Sequence, residues 1–360
     1  MKLTELESVE YSRYFNIFDF SSDIEGKTFL ITGAKGIVGS GIIKWLMHEN
    51  QIRATNVHII ASTRDTSVLP SYIDREDNIE FCEFGNEREF CLDKRIDYII
   101  HSAAPTSNKI FQNNPVESLS VIIDGTRRML EIAKEHKGCS MIYLSSEEAY
   151  GTPSLDEPIT ERYIGGVDSL NVRSCYPLGK KVAELMCRSY FEEYSVNIKI
   201  IRPTVILGLW QPYDSVKVEA EILRCIIENK NLYMKSAGLT KKCVIYSLDA
   251  VTAILTVLIN GKPGEAYNAT NPDTYCTVKE RAYRAFERFN PNVTIEFAQE
   301  DTSVSEGYLP QRALLEDISK ISKLGWRALT DMEQIYEVDL QRFGVADSTR
   351  CHRLAISGCH

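Results

Sequence analysis

The 360-residue sequence has ten cysteines but no CxxC pair. That spacing fits neither a zinc site nor a small disulfide framework, so the thiols are read as reduced and buried in a cytoplasmic protein. No apolar run approaches the length a membrane-spanning helix needs. The opening residues, MKLTELESVEYSRYF, are acidic and mixed rather than basic and then apolar, so no secretory leader is expected. A positive balance is also missing. The net charge of −9 argues against general nucleic-acid binding and leaves only a local basic pocket for a phosphorylated ligand. No internal repeat or low-complexity tract stands out.

What is present is an ordinary globular composition, 44% hydrophobic and 25% charged, sufficient for a normal core. Apolar, β-branched stretches alternate with helical patterns. Thr28 to Thr32, VHIIAS, IDYIIHSAA, SMIYLSS and NIKIIRP read as buried strands. The patterns through Ile42, Ile43 and Leu46, and VESLSVIIDGTRRMLEIAKEH, read as helices between them. This alternation predicts an α/β fold, a Rossmann-type doubly wound parallel sheet covered on both faces. From about Val205 the pattern loosens into helices such as VEAEILRCIIENK and VKERAYRAFERF with short strands like NVTIEF, which predicts a smaller C-terminal mixed α/β domain. The expected boundaries are an N-terminal extension at 1–25, a dinucleotide-binding domain at 26–204 plus about 243–260, a second domain at 205–242 and 261–345, and a tail at 346–360.

Gly33, Gly36 and Gly39 form GxxGxxG between the first strand and its helix. The first glycine permits a tight turn, the second lets a pyrophosphate approach the backbone, and the third lets helix and strand pack closely. The helix opening at Ile37 then offers free N–H groups and a positive dipole end to phosphates. The acid that normally binds the adenosine ribose at the end of the second strand is missing. Ala61 and Ser62 occupy that region and Arg64 follows, either as a partner for a 2′-phosphate or as a solvated loop residue, so NADP stays as open as NAD.

Tyr176 and Lys180 stand at i and i+4, on one face of a predicted helix. A tyrosine is a poor base at its ordinary pKa, and a neighbouring ammonium favours the phenolate. Such a phenolate takes a hydroxyl proton while hydride leaves for a nicotinamide ring. About 30 residues earlier, YLSSEEAYG ends an apolar strand, which places Ser146, Glu147 and Glu148 at the carboxyl edge of the sheet, where ligands bind. Ser146 is read as a hydrogen-bond partner of the reacting hydroxyl. The adjacent carboxylates are candidates for a general acid and a general base.

Taken in order, TGAKGIVGS, HSAAP at 101–105, SSEEAYG, RSCYPLGKK and QRALLEDISKISKLGW resemble the extended short-chain dehydrogenase/reductases that modify nucleotide sugars, among them epimerases, 4,6-dehydratases and UDP-glucuronate decarboxylases. The resemblance spans about residues 26–345. It implies a nucleotide-diphosphate sugar held between two domains, a nicotinamide cofactor against His101, Ala103 and Ala104, and catalysis by Ser146, Tyr176 and Lys180. It also implies substrate contacts at Pro105, Thr106, Lys242 and Arg312, and a homodimer formed through two helices per subunit, near 115–134 and 178–194. Paired acids at Glu147 and Glu148 resemble the dehydratases. RSCY resembles the decarboxylases, which carry a small residue in place of Glu147. A 4,6-dehydratase-like reaction through a 4-keto sugar is the leading expectation, with decarboxylation of a sugar acid or 4-epimerisation as alternatives and a non-catalytic cofactor-binding protein as the outlying one. The sequence departs from the family at Ile122 and Val205, where asparagines are common, and at Lys242, where an arginine commonly contacts the diphosphate.

Overall fold

The computed structural model describes residues 3–67, 70, 78–299 and 310–345. The five predicted strands form in the expected order, with one that the sequence reading missed, Ile79–Glu83, among them: Thr28–Thr32 (β1), His58–Thr63 (β2), Ile79–Glu83 (β3), Tyr98–His101 (β4), Ser140–Leu144 (β5) and Asn197–Pro203 (β6). After them come Val205–Leu207 (β7), Leu232–Met234 (β8), Lys241–Tyr246 (β9), Ala266–Ala269 (β10), Asn271–Thr277 (β11), Ile295–Phe297 (β12) and Ala313–Leu314 (β13). Seven of these build one parallel sheet in the order β10-β6-β5-β4-β1-β2-β3. The strand order reverses between β1 and β4, which opens a crevice beyond their carboxyl ends.

Alternate residues of each strand feed two cores, as a period of two demands. Phe29, Ile31, Ile100 and Ile142 pack on one face, under the helices Ile37–Arg53 and Ser247–Asn260. Leu30, Ile60, Ile99 and Met141 pack on the other, under Pro115–Glu135 and Cys175–Tyr194. The smaller region is built on β9, flanked by β7, β11 and β13. The strand at 266–269 corrects the expected boundary. It pairs with β6 in the large sheet rather than joining the second domain. AYNA is too short and too mixed to stand out as a strand; its partner supplies the signal.

Residues 1–25 are likewise more than an extension. A helix at Glu5–Phe15, capped by Thr4 and Glu7, buries Tyr11 and Tyr14 completely and stacks Phe15 on Trp45 at 4.4 Å. Its acids hid this from the sequence pattern, because they are bonded inward. Glu7 pairs with Lys44 and accepts from Trp210, and Glu10 accepts from Tyr246. The expected tail at 346–360 lies outside the described residues. Among the described residues no helix is long and apolar enough to cross a membrane, all eight cysteines are free and buried, and no cluster of metal-ligating side chains occurs.

Candidate active site

The glycine loop has the shape a dinucleotide requires. Gly33 has φ +70°, and a Cβ there would lie 2.8 Å from Ser102 Oγ. A Cβ on Gly39 would lie 2.3 Å from the Gly33 carbonyl oxygen, so the helix could not sit so close to the turn. At Gly36 a Cβ would meet only the Gly33 oxygen, at 3.2 Å, and the rest of its surroundings are open. The helix begins at Ile37, whose first-turn N–H groups have no intrahelical acceptor. This cradle fits a pyrophosphate. Replacing Gly39 with alanine should weaken dinucleotide binding by about tenfold or more and cost about 1–3 kcal/mol of stability, because the obstacle is backbone. Calorimetric titration and thermal melting check both.

The crevice continues along β4. His101 is buried, with Nδ1 2.7 Å from Thr32 Oγ1, and burial lowers its pKa to about 3. Among the described residues its Nε2 has no partner. Ala103 donates its N–H to Thr32 Oγ1 at 3.2 Å, Ala104 and Pro105 are half-buried beyond it, and Thr106 is exposed.

Beyond β5, Ser146 caps a short turn by accepting from the Glu148 N–H at 3.2 Å. The helix Cys175–Tyr194 runs beside that turn and carries both Tyr176 and Lys180 inward. The Tyr176 ring stacks on Phe111 at 4.7 Å. Lys180 Nζ donates to the Leu144 carbonyl at 2.6 Å and lies 5.7 Å from the Tyr176 ring centre.

The electrostatics differ from the simple sequence picture. Burial, then the nearby Glu148 charge, pushes the Tyr176 phenol up, while the Ser146 hydroxyl and Arg173 pull it down. Lys180 is not the dominant opposing group. Burial drives its own pKa down to about 7, so near neutrality it is only partly charged.

A stability consequence follows. From about 7 to the ordinary 10.5 the unfolded chain holds the Lys180 proton and the folded chain does not, so this residue makes stability rise with pH over that interval. Lys180→Met should therefore be more stable than the parent near pH 6, on the order of 2–4 kcal/mol. The advantage should shrink towards pH ~10, as urea unfolding at the two values would show.

Each acid of the pair meets an arginine. Arg173 Nη2 donates to Glu148 Oε1 at 3.0 Å while its guanidinium lies over the Phe111 ring. Arg312 Nη2 donates to Glu147 Oε1 at 2.8 Å, both side chains being about 5% exposed, and Arg312 Nη1 reaches the Gly151 carbonyl. Arg312, expected to touch substrate, thus contacts Glu147 directly. Lys242 lies 3.4 Å from Glu219, which also pairs with Arg281 at 3.0 Å. Burial alone would raise the Glu219 carboxyl, but Lys242 and Arg281 outweigh it and hold it at about 2. Arg64 is exposed just beyond the end of β2.

Sequence reasoning missed Arg173, Phe111, Glu219 and Glu316. Arg173 stood in the RSCY run and had a signal. Glu316, buried with no hydrogen-bond partner on either oxygen among the described residues and raised by burial and then by Glu147, had none.

A parallel sheet with a glycine cradle at its switch point, and a tyrosine and a lysine side by side across the crevice, defines a dinucleotide-dependent short-chain dehydrogenase/reductase. More narrowly, the chain belongs to the NAD dependent epimerase/dehydratase family, whose model matches residues 29–270. It is 28% identical over 346 residues to UDP-glucuronic acid decarboxylase 1 of Danio rerio, covering 95% of this chain and 78% of that one. It is also 28% identical over 298 residues to UDP-glucuronic acid decarboxylase 6 of Arabidopsis thaliana, covering 82% and 83%. Among solved structures, dTDP-glucose 4,6-dehydratase from Bacillus anthracis in complex with NAD shares the fold, with a TM-score of 0.72 at 18% identity over 88% of this chain and 96% of that one.

Proposed function

We propose that the protein oxidises a nucleotide-diphosphate sugar acid at C4 and releases CO2 from the resulting keto acid. One observation carries the choice. Glu147, the residue in place to protonate a departing C6 hydroxyl, has its carboxylate engaged by Arg312 at 2.8 Å in a buried ion pair. Lending a proton from Glu147 would give up that pair, whereas loss of CO2 from a β-keto acid needs no acid at C6. The decarboxylase relatives point the same way.

A nicotinamide dinucleotide held by the glycine cradle and the β4 end at His101 to Ala104 would supply the hydride acceptor and donor. Tyr176 takes the proton of the C4 hydroxyl, which Ser146 orients by hydrogen bonding. Burial, and after it Glu148, keeps the phenol pKa high, which makes the phenolate a stronger base once formed. The C5–C6 bond then breaks, its electrons pass into the 4-ketone as an enolate, and C5 takes up one proton. Tyr176 returns its proton to the C4 oxygen as the ketone is reduced. Net, one proton is consumed and one CO2 leaves.

Loss of water is the second reading, favoured by the adjacency of Glu147 and Glu148 and by Glu147 Oε2, which is buried without a partner among the described residues. In that case Glu148 removes the C5 proton and Glu147 protonates the C6 hydroxyl. Incubation with NAD and, separately, UDP-glucuronate, UDP-glucose and dTDP-glucose, read by mass and NMR, decides. CO2 loss from UDP-glucuronate supports the proposal. Water loss from a neutral hexose with UDP-glucuronate untouched replaces it with the second reading, and inertness to all three removes both. Glu147→Gln should leave CO2 release within about threefold, but slow water loss by about a hundredfold if that is the reaction.

We further infer a homodimer through the helices Pro115–Glu135 and Cys175–Tyr194, which leave Val116, Val182 and Leu185 exposed. Light scattering checks it. A cytoplasmic location agrees with the free, buried cysteines.

A further inference from the structure

The adenosine end of the dinucleotide site departs from what an NAD-selective cradle offers. Selectivity for NAD rests on a carboxylate at the end of the second strand, which binds the ribose hydroxyls and repels a 2′-phosphate. Here β2 ends in Ala61, Ser62 and Thr63, all buried. The nearest buried acid, Glu87, is turned away from the surface. It is fully buried, its Oε1 accepts from Ser62 Oγ at 2.7 Å, its Oε2 accepts from the Gly85 N–H at 2.9 Å, and Arg128 lies 3.9 Å off. The exposed acid, Asp65, folds its carboxylate onto Ser67, accepting from its N–H at 2.9 Å and its hydroxyl at 2.6 Å.

Two cations stand where the acid is missing. The glycine loop is tied to the end of β2 by the Ala34 N–H, which donates to the Ser62 carbonyl at 3.2 Å. Lys35, inside that loop, reaches across so that its Nζ donates to the Asp65 carbonyl at 2.5 Å. That carbonyl belongs to the residue next to Arg64, which follows β2 directly and is exposed. Among the described residues, the Arg64 guanidinium makes no hydrogen bond or ion pair. A fork of donors and a point charge flanking the ribose position suit a phosphate monoester.

We propose that Arg64 and Lys35 form a site for the 2′-phosphate of the adenosine ribose, so that this chain takes NADP at least as well as NAD. The inference rests on the dinucleotide reading of the glycine loop and not on which sugar reacts.

The test is calorimetric titration of the full chain, freed of any retained nucleotide, with NAD, NADP, ADP and adenosine 2′,5′-bisphosphate, at low and at raised salt. NADP should bind at least as tightly as NAD, adenosine 2′,5′-bisphosphate should bind tighter than ADP, and both preferences should shrink with salt. Arg64→Ala should weaken NADP by about tenfold or more, and Lys35→Ala by a smaller factor, with NAD changed by less than about twofold in each. Unchanged melting temperatures would show that the variants fold. Binding of NAD with NADP at least tenfold weaker, or equal weakening of both cofactors by Arg64→Ala, overturns the proposal. Failure of all four ligands to bind the parent overturns the dinucleotide reading and this inference with it.

Discussion

Replacing Tyr176 with phenylalanine should lower turnover by about a thousandfold while dinucleotide affinity stays within about twofold. The change removes one oxygen from a side chain that is 8% exposed and leaves the ring stacked on Phe111. Packing is therefore conserved, and the loss falls on chemistry. No neighbour replaces the phenol. Lys180 is committed to the Leu144 carbonyl, Ser146 has an alcohol too weakly acidic for the role, and Glu148 already pairs with Arg173. Because burial and Glu148 raise the phenol, the parent's rate should climb with pH through neutrality, and the variant's residual rate should lack that climb. Single-turnover absorbance of the reduced nicotinamide measures the oxidation step directly. A variant keeping more than about a tenth of the parent rate would remove Tyr176 from the mechanism.

The parts of this site that can be read along the chain are those whose signal is local. Gly33, Gly36 and Gly39 carry their meaning in seven residues of backbone, and the sheet register then places them at the switch point. Tyr176 and Lys180 share a helix face by spacing alone. What the chain order conceals is pairing across distance. Arg173 and Glu148 are 25 residues apart, and Arg312 and Glu147 are 165 apart. No periodicity links them, because each is brought in by a different loop or strand. The same cause hid the N-terminal helix. Glu7 and Glu10 read as solvent-facing acids until Lys44, Trp210 and Tyr246 are seen to meet them. The expected ammonium–phenolate pair was legible as adjacency but not as energetics. Sequence spacing carries no measure of burial, and burial sets both pKa values here.

Breaking the Arg173–Glu148 pair gives the second large effect. With Arg173→Met, the Glu148 carboxylate loses its guanidinium in a site where the two side chains are about 19% and 7% exposed. Removing one partner of a buried pair typically costs about 3–5 kcal/mol, because the other charge stays behind without compensation. Glu148→Gln should cost less, since a neutral amide oxygen still accepts from Arg173. The double variant removes the stranded charge, so it should be more stable than Arg173→Met alone by about 2 kcal/mol or more. Urea unfolding of the four proteins closes the cycle, and simple additivity would mean that the two groups do not act as a pair. Activity separates the roles further. Arg173 pulls the Tyr176 phenol down and Glu148 pushes it up. Arg173→Met should therefore move the rising limb of the rate profile to higher pH, whereas Glu148→Gln should move it lower. Stability returns in the double variant, but turnover does not, because the phenol then works without the carboxylate that made it a strong base. Loss of stability with no movement of the profile would make the pair a brace for the Ser146 turn and nothing more.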